Sequence, residues 1–384
     1  ALFWVVGAVL VGYGGFLLWL RRGLSNLSDG AGNGQLDVTV IVAARDEEAN
    51  LPRLLAALQA QSYPIERLEI IVIDDNSTDG SYRVLTDHAE KMPNLHPLRI
   101  DDTPTGWSPK KWALTTAIER STGEIILVTD ADCLPGPRWV ETLVAYFDDP
   151  STGLVMGPAP LISERPNRWW EALRLDSCAV DALAAAGTGR GLALTCTGRN
   201  LAYRRATFQE VDGFQGVSHV VSGDDDLLML KIAATGRWSV RFALAIDAVV
   251  PSPPPPDLRA FIRQRLRYAS KGLLYYELKT APEFKLILPL IYGANLAAVV
   301  SQIAFIVTLQ PYWLALLGVK LLAEGVLVYP YLRRIGQRVR MGTFLLTGLV
   351  HPWYVALIGL LGNFYTVTWK GGRYKGQRVA GRNE

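Results

Sequence analysis

Apolar residues gather in four long blocks, one at the N-terminus and three near the C-terminus. The first block covers residues 1–20 and ends at Arg21 and Arg22. Each block is long enough to cross a bilayer as a helix, whereas a signal peptide would have a basic front and a shorter apolar core. We therefore predict a transmembrane helix over 1–22 and C-terminal transmembrane segments over 284–370. The later blocks are 286–309, 312–332 and 343–369.

Between these blocks, short apolar runs alternate with amphipathic stretches. The runs are rich in β-branched residues and predict strands, while the stretches between them carry apolar residues at helical spacing. This alternation predicts a doubly wound α/β domain over 37–256, with a mixed, mainly parallel sheet. Acidic residues after the first strand predict a helix that opens at Arg45, and a later helix is predicted over 112–120. The predicted strands are 37–44, 67–73 and 95–100, and a fourth lies in the segment 123–132 that leads to Asp130 and Asp132.

Aspartates stand at the ends of two predicted strands. Asp74 and Asp75 close the second strand, and Asp130 and Asp132 follow the fourth. Ligands of open α/β sheets bind at the carboxyl ends of the strands, where two hard oxygen ligands hold a divalent cation against phosphates. A third acidic cluster, 224–226, precedes an apolar helix, and ordinary N-capping is the alternative explanation for it.

Charge and cysteine usage indicate where in the cell the protein lies. The net charge of +3 is too small to indicate nucleic acid as a partner. Basic residues cluster beside the apolar blocks and in the tail over 371–384, a pattern typical of the cytoplasmic side. Cys133, Cys178 and Cys196 show no metal-ligand spacing and no disulfide framework, which is typical of reduced thiols in a cytosolic domain. We predict a multi-pass protein of the inner (plasma) membrane with its α/β domain in the cytoplasm.

The last apolar block leaves two alternatives open. A single crossing at 343–369 would place the basic tail outside, against the usual bias. Gly348 and Pro352 interrupt the block, so a re-entrant or broken hairpin is the alternative. Lys320 and Glu324 lie one turn apart in the preceding block and are either functional or an internal ion pair.

A proline run over 251–256 predicts a stiff spacer at the end of the α/β domain. Beyond it, residues 257–283 place apolar side chains on one helical face and Arg or Lys on another. This pattern predicts an amphipathic helix at the membrane surface, with a plain packing helix as the alternative. The apolar positions are Leu258, Ile262, Leu266, Ala269 and Leu273.

Four signals therefore stand in one order: Asp74-Asp75, Asp130-Ala131-Asp132, the cluster 224–226, and Gln264-x-x-Arg267-Tyr268. With its membrane flanks, the chain resembles the membrane-bound family 2 glycosyltransferases, which have a GT-A catalytic domain. Cellulose and hyaluronan synthases and ceramide glucosyltransferases belong to that group. The resemblance implies a nucleotide-diphospho-sugar transferase fold, a UDP-sugar donor, and Mg²⁺ or Mn²⁺ as the metal.

The resemblance also implies which residues bind the donor. Arg45 and Glu47 match positions near the base and the ribose. Asp75 matches the carboxylate that contacts the uracil, and Asp74 belongs to the same turn, which it braces. Asp130 matches a residue that meets the ribose and the metal-bound diphosphate.

Two further donor-side assignments come from the same motifs. Asp130 and Asp132 are the implied metal residues, with Asp132 preferred as the direct ligand. The family has a lysine in a Gly-Lys-x-x-Ala-Leu pattern, which here reads Pro109-Lys110-Lys111-Trp112-Ala113-Leu114. Lys110 is the implied residue, although the choice between it and Lys111 stays open.

Catalytic and acceptor roles are implied by the later motifs. Inverting transfer needs a base that takes the proton of the acceptor hydroxyl. Asp225 is the implied base and Asp224 the alternative. Gln264 and Arg267 share one helical face, and Arg267 would counter the charge on the leaving diphosphate. Tyr268, where the family has Trp, and Asn200 are implied on the acceptor side.

The predicted function is that of an inverting, metal-dependent hexosyltransferase that moves sugar from a UDP-hexose to a hydroxyl of a membrane lipid in the bilayer. The main alternative is a processive polysaccharide synthase, against which the few membrane segments and Tyr268 both argue. A non-catalytic membrane scaffold and a nucleotidyltransferase are the remaining alternatives.

Overall fold

The computed structural model describes residues 1–32, 35–164, 167–272, 274–277, 282–362, 364, 366–369 and 372–375. A seven-stranded sheet, in the order β3-β2-β1-β4-β6-β5-β7, forms the centre of the fold. Its strands are β1 (Val38–Ala44), β2 (Leu68–Asp75), β3 (Leu95–Ile100), β4 (Ile125–Asp130), β5 (Thr152–Met156), β6 (Leu201–Arg204) and β7 (Ser239–Phe242).

The sheet is mixed and mainly parallel, as predicted. The pairings of β6 with β4 and β5 are antiparallel, and the other pairings are parallel. Strands β1, β2 and β4 are almost entirely buried because helices cover both faces of the sheet. Ala43 pairs with Asp130 and Ala44 with Asp74, so the carboxyl ends of these three strands meet at one edge.

The helices mostly follow the predicted pattern, with two differences in their starting points. The residues after β1 form a loop instead of the predicted helix at Arg45, and α2 begins at Leu51 with a proline in its first turn. Helix α4 begins at Pro109 rather than at Trp112. The helices of the α/β domain are α2 (Leu51–Gln59), α3 (Ser81–Ala89), α4 (Pro109–Arg120), α5 (Trp139–Val144), α6 (Arg168–Thr188), α7 (Arg205–Glu210) and α8 (Asp226–Ala234).

Among the residues described, four helices are long and apolar enough to cross a membrane, judged by length and composition. The last of them is one helix with Pro352 inside it, so the broken hairpin is not formed there. Lys320 and Glu324 form an ion pair within the third. Orientation in the membrane stays a prediction. The four are α1 (Leu2–Asn26), α11 (Pro282–Thr308, apolar from Lys285), α12 (Tyr312–Arg334) and α13 (Met341–Gly362).

The region after the proline run forms α9 (Leu258–Ala269) and the short α10 (Leu274–Glu277). On α9, Phe261 is buried while Leu258 and Ile262 are exposed. Leu273 of the predicted apolar face lies outside the described residues. So does most of the predicted tail over 371–384, apart from a hairpin strand. That hairpin comprises β8 (Thr366–Trp369) and β9 (Gly372–Lys375).

Candidate active site

The loops that follow β1 and β2 are tied together by hydrogen bonds. The backbone N–H of Asp46 donates to Ser77 Oγ over 2.9 Å, and Asp46 Oδ1 accepts from the N–H of Thr78 over 2.8 Å. Asp46 and Asn76 both adopt positive φ values, of 54° and 53°, a conformation that Asp and Asn tolerate better than most residues. This bracing holds Arg45 and its neighbours beside the end of β2.

A cavity of about 160 Å³ opens at this edge of the sheet, and we call it the strand-end cavity. Residues from β1, β2, β4, α4 and α9 line it, together with the loop before α8. It brings together most of the predicted donor-side residues. The ionisable residues that line it are Arg45, Glu47, Asp75, Lys110, Asp130, Asp132, Asp224 and Arg267.

Lys110 connects two of the predicted motifs. Its Nζ lies 2.8 Å from Asp130 Oδ1 and 2.9 Å from Asp224 Oδ2. Burial alone would lower the pKa of Lys110, but these two carboxylates raise it well above its usual value. The lysine is therefore a fixed positive charge between the end of β4 and the acidic cluster.

Lys111 points away from the strand-end cavity. Its side chain is fully buried, and Nζ donates to the carbonyls of Val217, Val220 and Ser222 over 2.6–3.0 Å. Burial lowers its pKa to about 8. Lys110 thus lines the cavity, and Lys111 braces the segment that leads to the acidic cluster.

Asp130 and Asp132 offer hard oxygen ligands but not a complete cage. No group of three or more metal-binding side chains occurs among the residues that the structure describes. Burial and the charges of Asp130 and Glu47 raise the pKa of Asp132 to about 6. Two carboxylates fit a cation such as Mg²⁺, because Mg²⁺ is commonly held by one or two carboxylates and completed by substrate phosphates and water.

The three aspartates of the acidic cluster have three different environments. Asp224 pairs with Lys110, as described above. Asp226 Oδ2 lies 2.7 Å from Lys271 Nζ and also accepts a hydrogen bond from the hydroxyl of Tyr275. Asp225 has no ion pair within 4 Å among the residues described, and lies between these two partnered carboxylates.

Asp225 is held by backbone groups. Its Oδ1 accepts from the N–H of Asp226 over 2.7 Å at the start of α8, and its Oδ2 accepts from the N–H of Gly198 over 2.8 Å. A Cβ at position 198 would lie 3.1 Å from Asp224 Oδ2, so glycine permits this close approach. The predicted N-capping is therefore present, and it orients the carboxylate of Asp225.

These environments separate the pKa values of two neighbouring carboxyls. Burial, followed by the charges of Asp226 and Asp224, raises the pKa of Asp225 to about 6. Burial would raise that of Asp224 too, but the charge of Lys110 and its hydrogen bond lower it to about 2. A carboxylate with a raised pKa accepts protons more readily, so this contrast favours the prediction of Asp225 over the alternative of Asp224 as the base.

A second cavity, of about 430 Å³, adjoins the first, and we call it the Asp225 cavity. Asp130, Asp132 and Arg267 line both cavities, whereas Asp224 lines only the strand-end cavity and Asp225 only the second. The predicted pattern on α9 is also present here. Gln264, Arg267 and Tyr268 all line the Asp225 cavity.

Two predicted site residues do not line these cavities. Asn200 is fully buried; it donates to the carbonyls of Pro158 and Ala248 and accepts from Trp139 Nε1. The amide of Asn200 thus joins three segments of the domain core, and its acceptor-side role stays a prediction. Asp74 is likewise fully buried: its Oδ2 lies 3.8 Å from Arg99 Nε, and neither carboxylate oxygen accepts a hydrogen bond from the described residues.

A third cavity, of about 470 Å³, lies among the apolar helices, and we call it the apolar cavity. Side chains of α1, α6, α9, α11, α12 and α13 line it. Val180, Arg265 and Tyr268 line both this cavity and the Asp225 cavity, so the two adjoin at these side chains. Sequence reasoning missed Arg265, which the Gln264-x-x-Arg267 spacing passes over. Another cavity, of about 590 Å³ near Trp238, has no carboxylate in its described lining.

Comparison with known proteins agrees with this geometry. Residues 39–212 match the sequence profile of Glycosyl transferase family 2. The chain carries a family 2 glycosyltransferase domain. The match runs from β1 to the end of α7 and includes Asp75, Lys110, Asp130 and Asp132. The acidic cluster and α9 lie beyond it, so their roles rest on the structure and the motif order.

Named glycosyltransferases are similar to part of the chain. The chain is 28% identical over 249 residues to the probable glycosyltransferase YdaM of Bacillus subtilis, covering 64% of this chain and 57% of that protein. It is 30% identical over 132 residues to the beta-monoglucosyldiacylglycerol synthase of Synechocystis sp., covering 34% of this chain and 27% of that protein. The chain thus spans just over half the length of the first relative and about a quarter of the second.

The fold is shared by a solved structure over nearly the whole chain. The mannosyltransferase PcManGT from Pyrobaculum calidifontis, solved in complex with GDP-Man and Mn²⁺, aligns with a TM-score of 0.61 at 23% identity. The alignment covers 92% of this chain and 98% of that one. The predicted GT-A fold with flanking apolar helices is therefore confirmed.

Proposed function

We propose that this family 2 glycosyltransferase is an inverting, metal-dependent hexosyltransferase that moves a sugar from a nucleoside diphosphate sugar to a hydroxyl of a membrane lipid. A UDP-hexose is the proposed donor. The observation that carries the proposal is the position of Asp225, which lies between the donor-side carboxylates and a cavity that adjoins the apolar helices. We place the catalytic domain on the cytoplasmic side of the inner (plasma) membrane, where nucleotide sugars are made.

The strand-end cavity is the proposed donor site. Arg45 and Glu47 would contact the base and ribose, and Asp75 the uracil, as the resemblance implies. Asp130 and Asp132 would hold Mg²⁺ or Mn²⁺, which neutralises charge on the diphosphate when bound. Lys110 is close enough to Asp130 to share in that neutralisation.

The proposed chemistry is a single displacement at the anomeric carbon. Asp225 takes the proton of the acceptor hydroxyl as its oxygen forms the new glycosidic bond. The bond between the anomeric carbon and the β-phosphate oxygen breaks, and the nucleoside diphosphate leaves with that electron pair. Arg267 lines both cavities and would stabilise the charge that develops on the leaving group.

The experiment is incubation of the purified full chain with radiolabelled nucleotide sugars, total lipid extract, and Mg²⁺ or Mn²⁺. UDP-glucose, UDP-galactose and GDP-mannose are tested separately. The proposal expects label from at least one donor in the organic phase, and none with Asp132→Ala. Label retained in a high-mass polymer would indicate the polysaccharide synthase instead, and no transfer from any donor would refute the proposal.

A further inference from the structure

We infer that the sugar acceptor is an uncharged lipid alcohol, whose apolar body occupies the apolar cavity while its hydroxyl reaches Asp225. This inference rests on the proposed function and adds the chemical class of the acceptor. It excludes lipids that carry a phosphate next to the reacting group. Two observations carry it: the continuity of the cavities, and the pairing of the charges where they meet.

Continuity comes from shared side chains. Val180 on α6, with Arg265 and Tyr268 on α9, lines both the apolar cavity and the Asp225 cavity. The apolar cavity, at about 470 Å³, has the size of a small-molecule site. A lipid tail among the helices would therefore direct its head past Tyr268 towards Asp225.

The guanidinium at this junction already has an anionic partner. Arg265 forms a buried ion pair with Asp176 of α6. Asp176 also accepts a hydrogen bond from the hydroxyl of Tyr354, and its Oδ1 lies 3.5 Å from His351 Nε2. Arg265 is thus held and neutralised, which leaves little positive potential for an incoming phosphate.

The other nearby cations are engaged as well. Lys271 is buried against Asp226. Arg199 donates hydrogen bonds to Thr197 and Ser252, and the buried carboxylate of Asp181, which lines the same cavity, is its main electrostatic partner. Arg267 lines the strand-end cavity as well, where the donor diphosphate is proposed to lie. An acceptor phosphate would therefore approach Asp225 and its neighbouring carboxylates without a cation of its own, whereas a neutral hydroxyl meets no such repulsion.

The first test separates acceptors by charge. Total lipid extract is split into neutral and anionic fractions on an anion exchanger, and each fraction is offered to the full chain with the same labelled donor. We expect at least tenfold more organic-phase label with the neutral fraction. Equal or greater transfer to the anionic fraction would overturn this inference alone, whereas no transfer to either fraction or to the whole extract would refute the proposed function as well.

The second test fills the apolar cavity. Ile358 lines the cavity, while its neighbour Leu357 is exposed and does not. Ile358→Trp should raise the KM for the neutral lipid fraction at least fivefold with the donor KM unchanged, and Leu357→Trp should change neither. Binding of UDP, measured by calorimetry, verifies that each variant is folded. An Ile358→Trp variant that binds UDP and keeps the wild-type acceptor KM would overturn the placement of the lipid.

Discussion

Replacing Asp225 by asparagine tests the proposed base. The side chain keeps its size, but it can no longer accept a proton at neutral pH. Asp225 lines the cavity towards the apolar helices and not the strand-end cavity, so donor binding should remain nearly intact. Asp224→Asn is the matched comparison, because that change removes one of the two carboxylates that pair with Lys110, beside the donor-side residues.

The size of the effect follows from the role. A positioned general base contributes about 10²- to 10⁴-fold in rate, which is about 3–5 kcal/mol of transition-state stabilisation. We therefore expect the kcat of Asp225→Asn to fall at least a hundredfold. Asp224→Asn should instead raise the KM and Kd for the donor, because Lys110 loses one of the two carboxylates that position it.

The dependence of wild-type activity on pH gives a second expected effect that can be measured. Asp225 acts when deprotonated, and its pKa is raised to about 6, so activity should be lost as pH falls through that value. A single group with this pKa is about 90% ionised at pH 7 and about 10% at pH 5, so kcat/KM for the acceptor should drop about tenfold between them.

The assay measures the transfer of labelled sugar into the organic phase at a saturating donor concentration, and UDP binding is measured separately by calorimetry. Near wild-type turnover by Asp225→Asn would refute the assignment of Asp225 as the general base. So would an Asp224→Asn variant that loses kcat while keeping its donor affinity, since that result would move the base to Asp224.

Three further predictions test individual contacts. Lys110→Met should weaken donor binding at least tenfold by calorimetry, whereas Lys111→Met should leave donor binding nearly unchanged and lower the free energy of unfolding by about 3 kcal/mol, because three buried carbonyls lose their donor; the reverse pattern of donor binding would contradict the assignment. Asn200→Ala should lower the free energy of unfolding by about 3–5 kcal/mol through the loss of three buried hydrogen bonds. A stable variant with only a raised acceptor KM would instead support the predicted acceptor-side role of Asn200. Asp176→Asn should raise the ratio of sugar transfer to the anionic lipid fraction over transfer to the neutral fraction, because Arg265 loses its neutralising partner. An unchanged ratio, measured on one preparation, would contradict the role of Asp176 in excluding anionic acceptors.

Much of the donor side could be predicted from the sequence because parallel strands end at one edge of the sheet. Asp75 and Asp130 follow buried apolar runs, and the topology that brings β2 and β4 to either side of β1 follows from alternating strands and helices. The sequence alone did not decide which of Lys110 and Lys111 faces the site, because the direction of each side chain depends on where α4 begins. A start at Pro109 puts the two lysines in the first turn, about 100° apart around the helix axis.

The acceptor side needed the structure. Arg265 and Asp176 lie 89 residues apart, and no local pattern links them. Asn200 was assigned to the acceptor side because its segment resembles the family's acceptor-side strand, yet a buried amide also serves to join backbone segments. The apolar cavity is equally hidden, because uniformly apolar helices do not reveal in sequence which of their faces leave a gap.

In the proposed reaction the nucleoside diphosphate leaves as the sugar reaches a lipid, so the two products must form in equal amounts. The purified chain is incubated with a doubly labelled UDP-sugar and total lipid extract, and diphosphate release and organic-phase sugar are counted together. We expect one lipid-linked sugar for each UDP released, and neither product with Asp132→Ala. UDP release without lipid-linked sugar, or sugar found only in a high-mass polymer, would contradict it.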